Sequence, residues 1–245
     1  MPRALDVVIG DVHGNAGALY SLLREIGLID AAGKRRRAGW VVQLGDLLDR
    51  KAEPEANLET AQLAVDALDI VLAGNHEWRM LEESDGDHGA ALATLASHGW
   101  PHAAAASDGW LITHAGVHPQ LAAELPGEAT ECADEINHRW HRDAKRRARD
   151  PLFRSVGPAR GGSDPCGGIL WMHSDEWPKN QATPWGQIAG HVPQPAPRLL
   201  PGPRWAIDIK SSDRLAALVR PEGESRWRPV VVKAAAGRRL QALAA

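Results

Sequence analysis

Four short segments combine glycine with the residue types that bind metals through oxygen and nitrogen. They are GDVHG at 10–14, GDLLDR at 45–50, GNHE at 74–77 and GH at 190–191. Carboxylates, an amide and imidazoles without thiolates suit Mn, Fe, Zn or Co better than Ca or Cu(I). Two such ions ~3.5–4 Å apart, sharing one carboxylate, can activate water and hold a phosphoryl group. The segments therefore predict a dinuclear centre suited to a phosphate ester.

The elements that must position these residues are short apolar runs rich in β-branched residues. LDVVIG, WVVQLG, DIVLAG, WLITH and GQIAG read as buried strands, and each leads to a polar residue. Ligand sites in α/β sheets lie beyond the carboxyl ends of the strands, where loops converge. The candidate metal ligands that these strand ends would bring together are Asp11, His13, Asp46, Asn75, His114 and His191.

Strand and helix signals alternate through the first half of the chain, which is the pattern of βαβ units. The pattern predicts a strand ending at Ile9, then strands 40–44, 69–73 and 110–114, with helices at 15–26, 58–68, 78–81 and 90–96. A further helix is predicted over 130–149. After a Pro-rich turn, RWAIDI, RLAALVR and WRPVVVK are predicted as successive antiparallel strands closing a second sheet. The pattern leaves open the strand order and whether the tail AAAGRRLQALAA is helical or disordered.

Length and charge narrow the functional class. The 245 residues predict one domain spanning 1–245, with a long segment over 118–186 as a substrate-selecting insert. With 28 basic and 31 acidic residues, the chain lacks the broadly polybasic surface that drives stable nucleic-acid binding. No apolar run approaches the ~20 residues of a membrane helix. Two cysteines without metal-finger spacing and an N-terminus without a signal-like apolar stretch predict a cytoplasmic protein with free thiols.

The order of the blocks DxH, GDxxDR, GNHE, H and GH across residues 10–191 resembles the calcineurin-like metallophosphoesterases. That resemblance implies an α/β fold, a four-layer α/β/β/α sandwich of two mixed β-sheets flanked by helices. Many members have a second histidine in the last block, whereas this chain has Pro193. The chain is in this respect similar to the branch of serine/threonine phosphoprotein phosphatases and bacterial diadenosine tetraphosphatases. THAGV at 113–117 also resembles that branch, and GGILWMHSD at 167–175 does so with Met172 and His173 inserted.

The resemblance also implies roles for individual residues. Asp11 and His13 would hold the first metal, Asp46 would bridge, and Asn75, His114 and His191 would complete the second site. His76 would protonate the leaving oxygen, with Asp49 orienting it, and such acid catalysis is typically worth ~10²- to 10⁴-fold. Arg50 would grip phosphate oxygens through its paired donors, and Arg160 is the candidate for a second phosphate clamp. Glu77 is predicted to brace a loop.

The expected function is hydrolysis of phosphomonoesters, including phosphoserine and phosphothreonine in proteins, by attack of a hydroxide bridging two divalent ions, with Mn expected first. One alternative is a symmetrical diadenosine tetraphosphate hydrolase, which the basic insert with Trp140, Trp171, Trp177 and Trp185 favours. Another is a non-catalytic phosphate-binding protein of the same fold. The role of His173 stays open. The remaining histidines are predicted to be solvated or capping residues: His88, His98, His102, His118, His138 and His141.

Overall fold

The protein is built from two five-stranded β-sheets with helices on their outer faces. The computed structural model describes residues 4–83, 86–142, 144–178, 182–209, 211 and 213–234. The strands are β1 Leu5–Ile9, β2 Val41–Gln43, β3 Ile70–Val71, β4 Ala104–Ser107, β5 Trp110–Thr113, β6 Gly186–Ala189, β7 Arg198–Leu200, β8 Arg204–Ala206, β9 Arg214–Pro221 and β10 Arg228–Lys233. The α-helices are α1 Ala16–Glu25, α2 Pro54–Ala67, α3 Asn75–Glu83, α4 Gly89–Ala96, α5 Pro119–Ala122, α6 Ala129–Trp140, α7 Ala144–Arg147 and α8 Pro151–Arg154. Single 3₁₀ turns span Gly86–His88, Pro158–Arg160 and Ser174–Glu176.

Each sheet combines parallel and antiparallel strands. The first sheet has the order β10-β9-β1-β2-β3, with β1, β2 and β3 parallel and β9 antiparallel to both β1 and β10. The second has the order β4-β5-β6-β8-β7, with β5, β6 and β8 parallel. The parallel strands of both sheets thus end at the loops that carry the polar segments, which is where α/β folds place their sites.

The core lies in layers that confirm the predicted sandwich. Val8, Val42 and Leu218 of the first sheet pack against Ile112, Ile188 and Ile207 beside the second, so the two sheets bury their facing sides against each other. On the outer face of the first sheet, α1 contributes its apolar stripe, which includes Leu19 and Leu22. Helix α6 packs on β4 and β5 of the second sheet. Among the described helices, none is both long and apolar enough to cross a membrane.

The C-terminal strands differ from the prediction that they form one antiparallel set in the second sheet. Of the three predicted strands, only β8 joins that sheet, and it is parallel to β6. The additional strand β7 pairs with β8 and lies in the Pro-rich segment that is predicted as a turn. Strands β9 and β10 extend the first sheet, with Leu218 of β9 opposite Val8 of β1. The physical reason is burial, because residues 215–218 are buried in succession and such a run needs cover on both faces.

The predicted helix over 130–149 is divided, and some other boundaries move. Helix α6 ends at Trp140, and Arg147 of the separate helix α7 folds back to donate from Nη1 to the Trp140 carbonyl at 3.0 Å. The Arg147 guanidinium also lies 5.0 Å from the Trp140 ring centroid, so this basic segment is held against an aromatic core. Helices α2 and α3 begin earlier than predicted, at Pro54 and Asn75. Of the tail over 234–245, residues 235–245 lie outside the described residues.

Candidate metal centre

The ends of strands from both sheets place the six candidate ligands in one region. Asp11 follows β1, Asp46 follows β2 and Asn75 opens α3 after β3, all in the first sheet. His114 directly follows β5 and His191 follows β6, both in the second sheet. The site therefore lies where the carboxyl ends of the two sheets meet, and each sheet supplies part of it.

One group of atoms converges around His114. Its Nε2 atom lies 3.0 Å from Asn75 Oδ1, 3.1 Å from His191 Nδ1 and 3.6 Å from Asp46 Oδ2. The other ring nitrogen, His114 Nδ1, lies 3.2 Å from the Leu44 carbonyl, which fixes the orientation of the ring. Two imidazole nitrogens, an amide oxygen and a carboxylate oxygen facing one point form a donor set that fits a divalent cation.

A second group shares Asp46 with the first. Ligand-type atoms of His13, Asp46 and His76 lie within 4.8 Å of one another, as do those of Asp46, His114 and His191. Asp11 borders both groups, because its Oδ2 accepts a hydrogen bond from the backbone N–H of His191 at 3.1 Å and it lines a cleft together with His13. Asp46 is the residue common to both groups, which is the geometry expected of a bridging carboxylate.

The backbone is strained at three of the six candidate ligands. His13, Asp46 and His191 have φ angles of 51°, 50° and 65°, in the left-handed region that non-glycine residues rarely occupy. Such conformations cost about 1–3 kcal/mol each and persist where the surroundings over-determine them, often at functional sites. These conformations occur at three residues whose side chains belong to the group of candidate metal ligands.

Two glycines leave space that the carboxylates need. A Cβ on Gly74 would overlap Asp46 at both its backbone nitrogen and Oδ1, and one on Gly190 would overlap Asp11 Oδ1. The glycines of the GNHE and GH blocks are thus required by close approach of a neighbouring carboxylate. Each block contributes both a ligand and the space for a ligand from another block.

Burial and neighbouring charges shift the pKa values of the candidate ligands. Burial, followed by the charges of Asp208 and Asp46, raises the pKa of Asp11 well above its usual value. For Asp46, burial opposes ionisation, but the imidazoles of His114, His76 and His13 lower its pKa overall. Burial lowers the pKa of His114 and, more strongly, that of His191. These shifts favour the neutral form of both rings, which is the form that offers a nitrogen lone pair to a metal.

Glu77 braces the loops that carry Asp46 and Asn75. Its side chain is fully buried and accepts hydrogen bonds from the backbone N–H groups of Asp46 at 2.9 Å, Leu48 at 2.8 Å and Gly74 at 2.8 Å. Burial, with the neighbouring Asp46 charge second, raises the pKa of Glu77 to about 8. These three bonds tie two ligand-bearing loops to one carboxyl, which supports the predicted loop-bracing role.

The residues predicted for proton transfer and phosphate binding border the same region. His76 places Nδ1 3.3 Å from Asp49 Oδ1 and Nε2 3.9 Å from Asp46 Oδ2, so its ring lies between the Asp49 carboxylate and the metal ligands. Arg50 follows Asp49 in the same loop and is half-buried. Arg160 is exposed in the insert, but its Nη2 donates to the His191 carbonyl at 3.2 Å.

Comparison with known proteins identifies the family. A sequence model of calcineurin-like phosphoesterases matches residues 7–223. The chain belongs to the calcineurin-like phosphoesterase family. It is therefore a metal-dependent phosphoric ester hydrolase, and the family together with the converging Asp46, His76, His114 and His191 indicates a divalent metal centre.

Structural similarity agrees with this family fold. A cold-active protein-tyrosine phosphatase of the psychrophile Shewanella sp. matches with a TM-score of 0.62 and 18% identity, over 96% of this chain and 81% of that chain. The protein TT1561 of Thermus thermophilus matches with a TM-score of 0.38 and 11% identity, over 89% and 94% of the two chains. The first similarity shows a shared fold. No curated protein sequence matches the chain.

One carboxylate of this phosphoesterase site was missed by the sequence reasoning. Asp208 follows β8, is buried, and lines a cleft of about 340 Å³ together with Asp11, His13 and Asp49. Burial raises the pKa of Asp208 to about 6, while the His13 imidazole acts in the opposite direction. The signal that would have found it is the one used for the other ligands, since Asp208 ends the apolar run WAI.

The remaining histidines divide between capping, exposed and buried positions. His118 and His173 accept hydrogen bonds from the backbone N–H groups of Gln120 and Asp175, both at 3.2 Å, and so cap short helical turns. His98, His138 and His141 are exposed, and His102 is half-buried. His88 differs from the prediction, because it is buried and its ring contacts Asn57. It is neither solvated nor a side-chain cap of α4.

The tryptophans of the insert are largely covered. Trp140 and Trp185 are buried in the core. The Trp177 ring lies 3.7 Å from the Arg204 guanidinium carbon, and the Trp171 ring lies 5.2 Å from that of Arg79. Each of these two half-buried rings thus has an arginine over one face, which supports packing of this set over stacking on a nucleobase.

Proposed function

We propose that this phosphoesterase hydrolyses phosphomonoesters, with phosphoserine or phosphothreonine of proteins among its substrates. In this proposal Asp11 and His13 hold one divalent ion, Asp46 bridges, and Asn75, His114 and His191 hold the second. Mn is the metal we expect first, with Fe, Zn or Co as alternatives that the same donor set accepts. When bound, two such ions supply Lewis acidity that lowers the pKa of water toward ~7 and stabilises charge on a phosphoryl group.

The observation that carries the proposal is the orientation of His76. Its Nδ1 faces Asp49 at 3.3 Å, so the opposite nitrogen, Nε2, is the one turned toward the centre, 3.9 Å from Asp46 Oδ2. His76 can therefore donate a proton from Nε2 to the oxygen that leaves phosphorus, which an alkoxide such as a serine side chain requires.

The basic side chains around His76 suit the dianionic group of a monoester. Arg50 is adjacent to Asp49, and Arg160 is anchored on the His191 carbonyl at 3.2 Å. Guanidinium groups offer paired donors to phosphate oxygens and stay charged at all relevant pH values. We assign both to binding the non-bridging oxygens of the phosphate.

The insert over 118–186 favours the monoesterase over the diadenosine tetraphosphate alternative. Open aromatic faces would favour that alternative, whereas two of the insert tryptophans are buried and each of the other two has an arginine over one face. We assign the insert to selecting the part of the substrate beyond the phosphate. A dinucleotide that gave the faster turnover would reverse this assignment.

The test compares His76→Ala with the wild type on substrates that differ in their leaving group. On an alkyl phosphate or a phosphoserine peptide, kcat should fall by about 10²-fold or more, since the leaving oxygen needs a proton. On an activated aryl phosphate the loss should be much smaller, and metal content should be unchanged. His98→Ala, an exposed histidine away from the centre, is the matched control. Equal losses on both substrates would contradict the acid role.

The same assays separate the two substrate classes. With Mn supplied, phosphate release from the phosphoserine peptide should exceed cleavage of diadenosine tetraphosphate. ADP as the main product from the dinucleotide, at the higher kcat/KM, would instead support the dinucleotide hydrolase.

A further inference from the structure

A buried pair of side chains outside the metal centre holds the loop that carries Asp49 and Arg50. Asn57 lies in α2 and is fully buried, and His88 ends the 3₁₀ turn Gly86–His88 with 4% of its surface exposed. Asn57 Oδ1 accepts from the Asp49 backbone N–H at 3.0 Å, and Asn57 Nδ2 donates to the Asp49 carbonyl at 2.8 Å. Both backbone polar groups of Asp49 are thus fixed by one amide.

His88 completes this arrangement. Its Nδ1 lies 3.0 Å from Asn57 Nδ2, and its Nε2 lies 3.3 Å from the Arg50 carbonyl. Because an amide nitrogen can only donate, Nδ1 of His88 must accept, and Nε2 must carry the proton and donate to Arg50. The neutral ring therefore links the amide that holds Asp49 to the carbonyl of the next residue. The position therefore requires a side chain with one donor and one acceptor that are separated like the two ring nitrogens of His88.

The contacts of His88 bear on function because His88 follows the helix that carries His76. His76 lies in the first turn of α3, and His88 ends the turn Gly86–His88, the next described element of the chain. One segment thus carries the imidazole of the His76–Asp49 pair at one end and fixes the loop of its carboxylate at the other. Gly14 of the first block also packs here, since a Cβ on it would lie 2.7 Å from Asn57 Oδ1.

We propose that His88 and Asn57 form a clamp that sets the position of Asp49 relative to His76. This inference rests on the proposed function, in which His76 is the proton donor. His88 is a positioning residue that acts through the loop and does not touch substrate. A displacement of about 1 Å in such a group can cost 10²-fold in rate, so loss of the clamp should appear in catalysis as well as in stability.

The test uses His88→Ala, which removes both ring contacts, and His88→Gln, which keeps a donor and an acceptor. We expect His88→Ala to lower kcat on an alkyl phosphate by roughly tenfold, because one misplaced partner weakens the acid without removing it. On an activated aryl phosphate the loss should stay within about twofold, and His88→Gln should recover part of the difference. His98→Ala again serves as the matched histidine control. Metal content, measured on each purified variant, should equal that of the wild type.

A double-mutant cycle separates positioning from a general effect on folding. If His88 acts through the His76–Asp49 pair, adding His88→Ala to His76→Ala should change kcat on the alkyl phosphate by less than about twofold. A full additive loss in that background, or equal losses on aryl and alkyl phosphates, would overturn the clamp. Should His88→Ala fail to fold, His88→Met fills the volume without hydrogen bonding and enters the same comparison. If His76→Ala alone shows no leaving-group dependence, the proposed function fails, and that result is distinct from failure of the clamp.

Discussion

Arg220 joins the two sheets at the end opposite the metal centre, and its replacement should uncouple stability from activity. The guanidinium is buried at the end of β9, where Nη2 donates to Asp6 Oδ2 and to Ser107 Oγ, both at 2.7 Å. Nη1 lies 2.8 Å from Asp108 Oδ2, and the group covers the Trp227 ring at 4.6 Å. Asp6 belongs to the first sheet, whereas Ser107 ends β4 of the second sheet and Asp108 lies in the β4–β5 turn.

The expected magnitude follows from the exposure of each partner. The Arg220 side chain is 5% exposed and that of Asp6 is 29% exposed, so their charged hydrogen bond should contribute about 1.5–3 kcal/mol. The Asp108 side chain is 78% exposed, and its ion pair should contribute at most about 1 kcal/mol. With the Ser107 bond at about 1 kcal/mol, Arg220→Met should cost about 3–5 kcal/mol. That range matches the usual cost of breaking a buried pair on one side.

The assay is urea unfolding of Arg220→Met, Asp6→Ala and Asp108→Ala, followed at equilibrium with chelator present so that metal binding does not contribute. At a slope of about 3 kcal/mol/M, the Arg220→Met midpoint should fall by about 1–2 M. Asp6→Ala should be clearly more destabilising than Asp108→Ala. At a temperature where the variant is folded, its kcat with Mn should equal that of the wild type. An Arg220→Met cost below about 1 kcal/mol, or equal costs for the two aspartates, would refute the reasoning from burial.

Two substitutions test the site, and an alkylation experiment tests the buried thiol of Cys132. Gly190→Ala should place a methyl group against Asp11 and lower the metal content of the purified protein, which elemental analysis measures; full occupancy would contradict the steric argument. Asp208→Asn should weaken metal binding about 10- to 100-fold in competition with a chelator, as loss of a carboxylate beside a ligand commonly does, and an unchanged affinity would count against its place in the site. Burial raises the pKa of Cys132 to about 12, so alkylation at pH 8 should be slow in the native protein and fast after unfolding.

The sequence could predict the centre because its residues obey a local rule. Each candidate ligand stands at or just beyond the end of a short apolar run, and parallel strands end on one side of their sheet. The same rule applied to WAID would have found Asp208, which lies outside the four blocks that combine glycine with metal-binding residues. The left-handed φ angles of His13, Asp46 and His191 give a weaker signal, because Asp and His are enriched in that region but adopt it at only a few of their positions.

The sheet to which β9 belongs and the burial of His88 both depend on contacts between separate segments of the chain, which the sequence pattern does not indicate. The run LAALV gives β9 its strand character, but only pairing with β1 places it in the first sheet, and alternation alone does not choose between two sheets. His88 was missed for a related reason, since an isolated histidine after a helix is usually solvated. Its burial depends on α2 supplying Asn57 and on the loop before α2 supplying the Arg50 carbonyl, both of which are more than 30 positions earlier in the sequence.

The positions of these residues indicate that different parts of the phosphoesterase support metal binding, stability and proton transfer. Ligands lie on rigid strand ends and are contributed by both sheets, so any sliding of one sheet on the other would change the distance from His114 Nε2 to Asp46 Oδ2, now 3.6 Å. Arg220 bonds the two sheets to each other at the far end, away from the candidate ligands. Proton transfer depends instead on a loop, and a loop needs its own restraint, which Asn57 and His88 supply from buried positions. Substitutions at the two ends should therefore affect different quantities: stability alone for Arg220, and the leaving-group dependence of kcat for His88.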